Sequence, residues 1–96
     1  MPRIVWSRRA LLDLVRLHAF LAPKSIEAAQ AAAEAIRKGV KILGRRPAIG
    51  RPVEGLPLEI REWVIEFGQS AYVVRYAYEG KTVTIVAIRQ GREVGF

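Results

Sequence analysis

The sequence contains no cysteine and one histidine, and it has no long apolar run. Without cysteines there is no disulfide framework and no thiolate metal site, and one histidine cannot build a zinc site alone. The apolar stretches are too short to cross a bilayer, and the N-terminal MPRIVWSRRA lacks the long apolar segment of a secretory signal. We therefore expect a cytoplasmic protein with no metal, no cofactor and no membrane partner.

Groups suited to catalysis are also scarce. His18 falls close to the apolar stripe of a predicted helix, without a second histidine, aspartate or cysteine at useful spacing, so a structural role is favoured. Ser7 and Ser25 are better explained as helix caps than as nucleophiles. The segment GRRPAIGRP lacks the Lys-Ser/Thr ending of a phosphate-binding loop. The sequence therefore assigns no catalytic residue.

Positive charge is abundant. The 96 residues carry 16 Lys plus Arg against 9 Asp plus Glu, a net charge of +7, and 12 of the 16 cations are arginine. This excess favours an anionic partner, either nucleic acid or an acidic protein, although a basic surface can also serve solubility alone. A chain of this length has too little interior to divide, so we predict a single domain spanning residues 1–96.

Hydrophobic periodicity predicts one short strand followed by two helices. PRIVW indicates the strand, and Ser7 caps a helix that Ala22-Pro23 ends. Apolar residues recur along this helix at helical spacing, flanked by Leu11 and Val15, so we expect a wide apolar stripe that includes these two residues to face inward. Ser25 caps a second helix with an apolar seam from Ile26 to Leu43, rich in alanine. The short connection between the two helices predicts an αα-hairpin.

After the second helix, the basic, proline- and glycine-rich RRPAIGRPVEGLP predicts a loop, and from residue 60 the hydrophobic period becomes 2. Three strands are predicted near residues 60–67, 71–78 and 82–89, joined by hairpin turns. The expected fold class is α+β in the order β-α-α-β-β-β, with a small antiparallel sheet packed on the αα-hairpin. The other face of the sheet is then available for function.

Strand register decides which side chains share a face. If Glu79-Gly80 forms a two-residue turn, Tyr78 pairs with Lys81 and Arg75 faces Thr84, whereas a three-residue turn changes this pairing. The core set is then expected to be Tyr72, Val74, Tyr76, Val83, Ile85 and Ala87. Alternation sends Arg61 toward the core, so either a bulge reverses its face or its head lies at the sheet rim.

Arginines cluster in the predicted loop and strands, where each guanidinium offers fixed donors for phosphate or carboxylate. Pairing with the chain's own glutamates, Glu62 among them, is an equally good account of any single arginine. The residues predicted to bind a target or nucleic acid are Arg51, Arg61, Arg75, Arg89 and Arg92.

The order of these segments resembles the RelE/ParE superfamily, the toxins of bacterial type II toxin-antitoxin modules. The resemblance covers nearly the whole chain and rests on RIVWS, RRALLDLVRLHAFL, RRPAIGRPVEGL, REW, YVVRYAYEGKTVTIVAIR and RQGREVGF. It implies a toxin that a cognate antitoxin neutralises in a hetero-oligomer. We expect the exposed apolar residues Leu12, Phe20 and Val94 to contact the antitoxin.

The resemblance leaves two targets open. RelE-like members cleave messenger RNA on the ribosome with basic sheet residues and a His or Tyr near the C-terminus, whereas ParE-like members poison DNA gyrase without that set. This chain has basic residues at Arg61, Arg75 and Arg89, but it shows Gln90 and Phe96 where the His and Tyr are common. Because glutamine and phenylalanine cannot accept the proton of a 2'-hydroxyl, we expect gyrase binding, with RNA cleavage as the alternative.

Overall fold

The computed structural model describes residues 1–93 and 95–96. Its elements follow the predicted order with one addition, a two-residue strand in the basic loop. In chain order they are β1 (Arg3–Trp6), α1 (Arg8–Leu21), α2 (Ile26–Ile42), β2 (Arg51–Pro52), β3 (Ile60–Phe67), β4 (Ser70–Glu79) and β5 (Thr82–Gln90). The α+β class and the αα-hairpin packed on a sheet are confirmed.

Both predicted helix caps are present. The Ser7 hydroxyl accepts a hydrogen bond from the Ala10 amide at 3.0 Å, and the Ser25 hydroxyl accepts one from the Ala28 amide at 3.0 Å. Each satisfies an amide that has no partner within its own helix. The seam of α2 begins later than predicted, since Ile26 is 63% exposed.

The sheet is mixed rather than wholly antiparallel. Its strand order is β1-β5-β4-β3-β2, and β1 runs parallel to β5 while the other neighbours are antiparallel. The parallel pair arises because the two helices form the crossover between β1 and the rest of the sheet. The helices cover one face, and the open face, pointing away from them, carries Glu62, Arg75 and Ala87 in register on three neighbouring strands.

The predicted β4–β5 register was wrong. Tyr78 pairs with Val83 rather than Lys81, because the turn is formed by Gly80, whose φ is +58°, and Lys81. A bulge then skips Val86, so Arg75 faces Ala87 rather than Thr84. Ala87 therefore lies on the open face, and Ile88 takes its predicted place in the core.

Side chains of α1 and of its cap residue Ser7 form hydrogen bonds with the backbone of β5 where that strand extends beyond β1. The Ser7 hydroxyl donates to the Val86 carbonyl at 2.9 Å, and the Asp13 carboxylate accepts from the Ile88 amide at 2.9 Å. These bonds replace ladder bonds that a longer β1 would supply. The exposed backbone of β5 is thereby closed to an added strand.

Tyr76 fastens the basic loop to the core. Its ring is 0% exposed, and its hydroxyl donates to the Pro47 carbonyl at 2.7 Å and accepts from the Gly50 amide at 2.9 Å. A Cβ on residue 50 would lie 2.5 Å from that hydroxyl, so the approach requires glycine. Burial raises the pKa of Tyr76, against smaller lowering effects of the Gly50 hydrogen bond and of Arg61.

Within residues 1–93 and 95–96, no helix combines the length and apolar character needed to cross a membrane.

Candidate target-binding surface

Arg75 lies on the open face and is bound by the chain's own glutamate. Its Nε and Nη2 donate to Glu62 Oε2 at 3.1 and 2.9 Å, across the β3–β4 register. The two side chains are 26% and 12% exposed. Since both charges are partly withdrawn from water, this contact is stronger than a surface ion pair, and it fixes the position of the guanidinium beside Glu62.

Arg89 is held by the turn that follows β5. Its Nη1 donates to the carbonyls of Gln90, Gly91 and Glu93 at 3.3, 3.4 and 3.0 Å. Its Nε is buried and has no hydrogen-bond partner among the described residues. Arg89 therefore shapes the backbone of residues 90–93 and keeps one donor without a partner there.

The Phe96 ring lies beside both sheet arginines. Its centroid is 4.3 Å from Arg75 Cζ and 5.1 Å from Arg89 Cζ, within cation-π range. Nearby, Arg16 of α1 pairs with Glu93 at 2.7 Å, and hydrogen bonding to this carboxylate raises the pKa of Arg16. The Phe96 ring therefore lies beside the two open-face arginines.

Arg61 lies on the opposite side of the sheet. Regular β3–β4 pairing from Ile60 to Phe67 shows no bulge, so Arg61 shares the helix-facing side with Trp63. Its head reaches the rim, where Nη1 donates to the carbonyls of Ala48 and Gly50 at 3.3 and 2.7 Å. Of the two alternatives left open for Arg61, the rim placement is the observed one, and Arg61 and Arg75 occupy different faces of the sheet.

Arg51 and Arg92 are exposed, and neither forms an ion pair within the described part of the chain. Arg51 of β2 pairs with Glu62 of β3, so its side chain lies on the open face. Arg92 lines a surface depression of about 470 Å³ with Gln69 and Gln90. Of the five predicted arginines, these two are the most accessible to another molecule.

The exposed face of α1 is more apolar than the sequence predicted. Leu12 and Phe20 are each 56% exposed, as expected for partner contacts, but Leu11 and Val15, predicted to face inward, are also 49% and 64% exposed. Val94, the third predicted contact, lies outside the described residues. The signal was present in the sequence: a helix packed on one side cannot bury apolar residues around its whole circumference.

A groove runs beside this face, between α1 and α2. One part, of about 370 Å³, is lined by Trp6, Leu11 and Val40, with Arg37 and Lys41 also in its lining. A second part continues past Val15 and His18. His18 is thus half-buried at a helix-helix groove, away from the sheet arginines, consistent with the structural role inferred for it.

The fold and the cationic sheet define the class of RelE/ParE-type toxins. The family model described as "ParE toxin of type II toxin-antitoxin system, parDE" matches residues 4–95. The chain is 34% identical over 90 residues to Toxin RelE1 of Caulobacter vibrioides, with 94% of each chain covered. A solved structure, the chromosomal ParDE TA system from P. aeruginosa, matches with a TM-score of 0.76 and 26% identity, covering 94% of this chain and 96% of the other.

The chain therefore belongs to the ParE toxin family of type II toxin-antitoxin systems. Membership of this family supports an antitoxin as its partner.

Proposed function

We propose that this toxin arrests growth by binding and inhibiting DNA gyrase, without cleaving RNA. The carrying observation is that two of the open-face arginines are already engaged, Arg75 with Glu62 and Arg89 with three backbone carbonyls. Pairing with the chain's own glutamate therefore accounts for Arg75, and neither arginine is free to act as part of a catalytic set. Arg51 is exposed on the same face and forms no ion pair among the described residues, so it is left for recognition. The contact with Arg75 also occupies the Glu62 carboxylate, the one nearest to these cations, so Glu62 is a poor candidate for a general base.

The alternative is a ribosome-dependent endoribonuclease, which the similarity to Toxin RelE1 supports as a second candidate. It would use Arg61, Arg75 and Arg89 to stabilise the phosphate. The placement of Arg61 speaks against that set, because its guanidinium is bound to the Ala48 and Gly50 carbonyls on the other side of the sheet. Three arginines that do not converge cannot clamp one scissile phosphate.

Purified toxin added to a gyrase supercoiling assay and to a translating extract separates the two functions. We expect supercoiling to be inhibited and messenger RNA to stay intact. The double variant Arg51→Gln/Arg92→Gln is expected to weaken inhibition about thirtyfold, since each exposed guanidinium contributes on the order of 1 kcal/mol to binding and the two together contribute about 2 kcal/mol. The matched control Arg3→Gln/Lys81→Gln removes the same charge from exposed positions elsewhere. Cleaved messenger RNA with unaffected supercoiling would refute the proposal.

We further propose that the antitoxin covers the apolar face of α1, with Leu12 and Phe20 as contacts. These residues lie on one helical stripe, with Arg16 between them. Glu93 pairs with that arginine, so the chain just before Val94 passes beside the same stripe. Four large apolar residues exposed on one 14-residue helix (Leu11, Leu12, Val15 and Phe20) are typical of a partner surface.

Phe20→Asp is expected to weaken antitoxin binding at least about tenfold by titration calorimetry, because it removes a large apolar contact and buries a carboxylate whose desolvation cost Lys24, 4.9 Å from the Phe20 ring, offsets only in part. Leu58→Asp is the matched control, since Leu58 is 82% exposed in the loop before β3. Circular dichroism of both variants should match that of the parent. Equal affinity of the two variants for the antitoxin would place the interface elsewhere.

A further inference from the structure

The C-terminal end of α2 carries a second basic region that the proposed function does not use. Between residues 35 and 53 the chain has six cations and no acidic residue. They are Arg37, Lys38, Lys41, Arg45, Arg46 and Arg51. Three of them, Lys38, Lys41 and Arg45, line one surface depression of about 240 Å³ together with Ile42. We call these three residues the α2 basic surface.

The α2 basic surface has no charge partner. Four cations elsewhere do have one: Arg9 and Arg16 lie near Asp13, Arg37 near Glu34, and Arg75 near Glu62. Other exposed cations, such as Arg51 and Arg92, also form no ion pair among the described residues, so the α2 basic surface is distinguished by having three such cations around one depression. Across residues 1–93 and 95–96, no ion pair includes Lys38, Lys41 or Arg45. All three are exposed, so their repulsion is screened by solvent alone.

The helix dipole explains only part of this charge. A cation in the last turn stabilises a helix C-terminus, and Lys41 meets that description. Lys38 lies before the last turn of α2, and Arg45 lies beyond its end at Ile42. Because their side chains line the same depression, one phosphate placed there would meet several cations at once.

We propose that the α2 basic surface binds the phosphate backbone of duplex DNA. Within the described part of the chain, no aromatic side chain lines this depression, so the stacking platform that single strands use is missing from its lining. A protein interface would need apolar anchors, and Ile42 is the single apolar residue lining the depression. Uniform cationic charge without acids or aromatics fits sequence-independent contacts to duplex phosphates. This goes beyond the gyrase proposal and stands without it.

The test is fluorescence anisotropy of a labelled mixed-sequence DNA duplex across about 50 to 200 mM NaCl, with no gyrase present. The triple variant Lys38→Gln/Lys41→Gln/Arg45→Gln is expected to bind at least about tenfold more weakly at the lowest salt. The slope of log affinity against log salt should shrink in magnitude by about 2 to 3, since each phosphate contact contributes about 0.9.

The control variant Arg3→Gln/Arg8→Gln/Lys81→Gln loses the same charge from exposed positions and is expected to keep most of the affinity and slope. Equal losses in the two triple variants would show that net charge alone drives binding and would overturn the proposal. An unchanged slope, or no binding by the parent protein, would do the same. If poly-glutamate binding falls in the α2 variant while DNA binding does not, the surface serves an acidic protein instead, and the proposal is wrong.

Discussion

The sheet and the second helix present their polar side chains in opposite ways. In the sheet, Arg61, Arg75 and Arg89 are each bound to another part of the chain. At the end of α2, Lys38 and Lys41 extend into solvent with no acidic partner among the residues described. The difference teaches that arginine content alone does not locate a binding surface. The arginines of β3, β4 and β5 contribute to the fold as well as to the surface, whereas Lys38 and Lys41 form no ion pair among the described residues and contribute mainly charge.

The largest expected effect comes from the polar group most deeply built into the sheet. Tyr76→Phe removes the hydroxyl that donates to Pro47 and accepts from Gly50, and it leaves both loop groups without that partner. We expect a loss of about 1–3 kcal/mol in the free energy of unfolding, measured by urea denaturation at neutral pH. A loss below about 0.5 kcal/mol would show that water replaces the hydroxyl.

The same tyrosine gives stability a dependence on alkaline pH. Burial raises the pKa of Tyr76 in the folded protein, so its contribution is fully present below about pH 10, the ordinary pKa of tyrosine. It is lost as pH rises toward the folded value, because the unfolded chain ionises first. Tyr76→Phe should therefore flatten the alkaline fall, while burial of Tyr72, whose pKa is also raised, keeps part of it.

A smaller effect is expected from the open-face ion pair. Arg75→Gln and Glu62→Gln should each cost about 1–2 kcal/mol of stability, since each leaves a half-buried charge without its partner. The double variant should cost less than the sum, with a coupling energy of about 1 kcal/mol in a double-mutant cycle. A coupling energy near zero would show that Arg75 gains no stability from Glu62 and behaves as a solvated cation, as Lys38 and Lys41 are expected to do.

The smallest effect is expected on α2 itself. The triple variant Lys38→Gln/Lys41→Gln/Arg45→Gln should change the free energy of unfolding by no more than about 0.5 kcal/mol per site, because these side chains make no ion pair among the described residues. Thermal and urea denaturation beside the Arg3→Gln/Arg8→Gln/Lys81→Gln control measure this. A marked loss confined to the α2 variant would mean that these cations stabilise the helix end, and the comparison with the sheet would fail.

The sequence predicted the elements of the fold better than its contacts. Local rules placed the caps Ser7 and Ser25 and all three long strands, because each depends on residues a few positions apart. The predicted β4–β5 register was wrong because the turn lies one residue later than expected and because a bulge skips Val86. As a result, Ala87 lies on the open face rather than in the core. The predicted burial of Leu11 and Val15 was wrong for a similar reason, because hydrophobic periodicity does not show how much of an apolar stripe a neighbouring element covers.

The candidate site shows the same division. The sequence predicted Arg75 and Arg89 as binding residues, and it named Glu62 among the possible partners of any single arginine. It gave no means of choosing Glu62 or of separating Arg61 from the other arginines. Nor did it single out Lys38, Lys41 and Arg45, which become a group only when one depression brings them together.

By itself, the sequence determined the order of strands and helices, the excess of positive charge and the scarcity of groups that could accept a proton. Tertiary structure decided which arginines are bound by the chain, which cations remain free, and which apolar side chains of α1 stay uncovered. The physical reason is distance: caps and periodicity act within a few residues. The partners of Arg75, Asp13 and Tyr76 lie 13, 75 and up to 29 positions away, and only the packed chain brings them into hydrogen-bonding range.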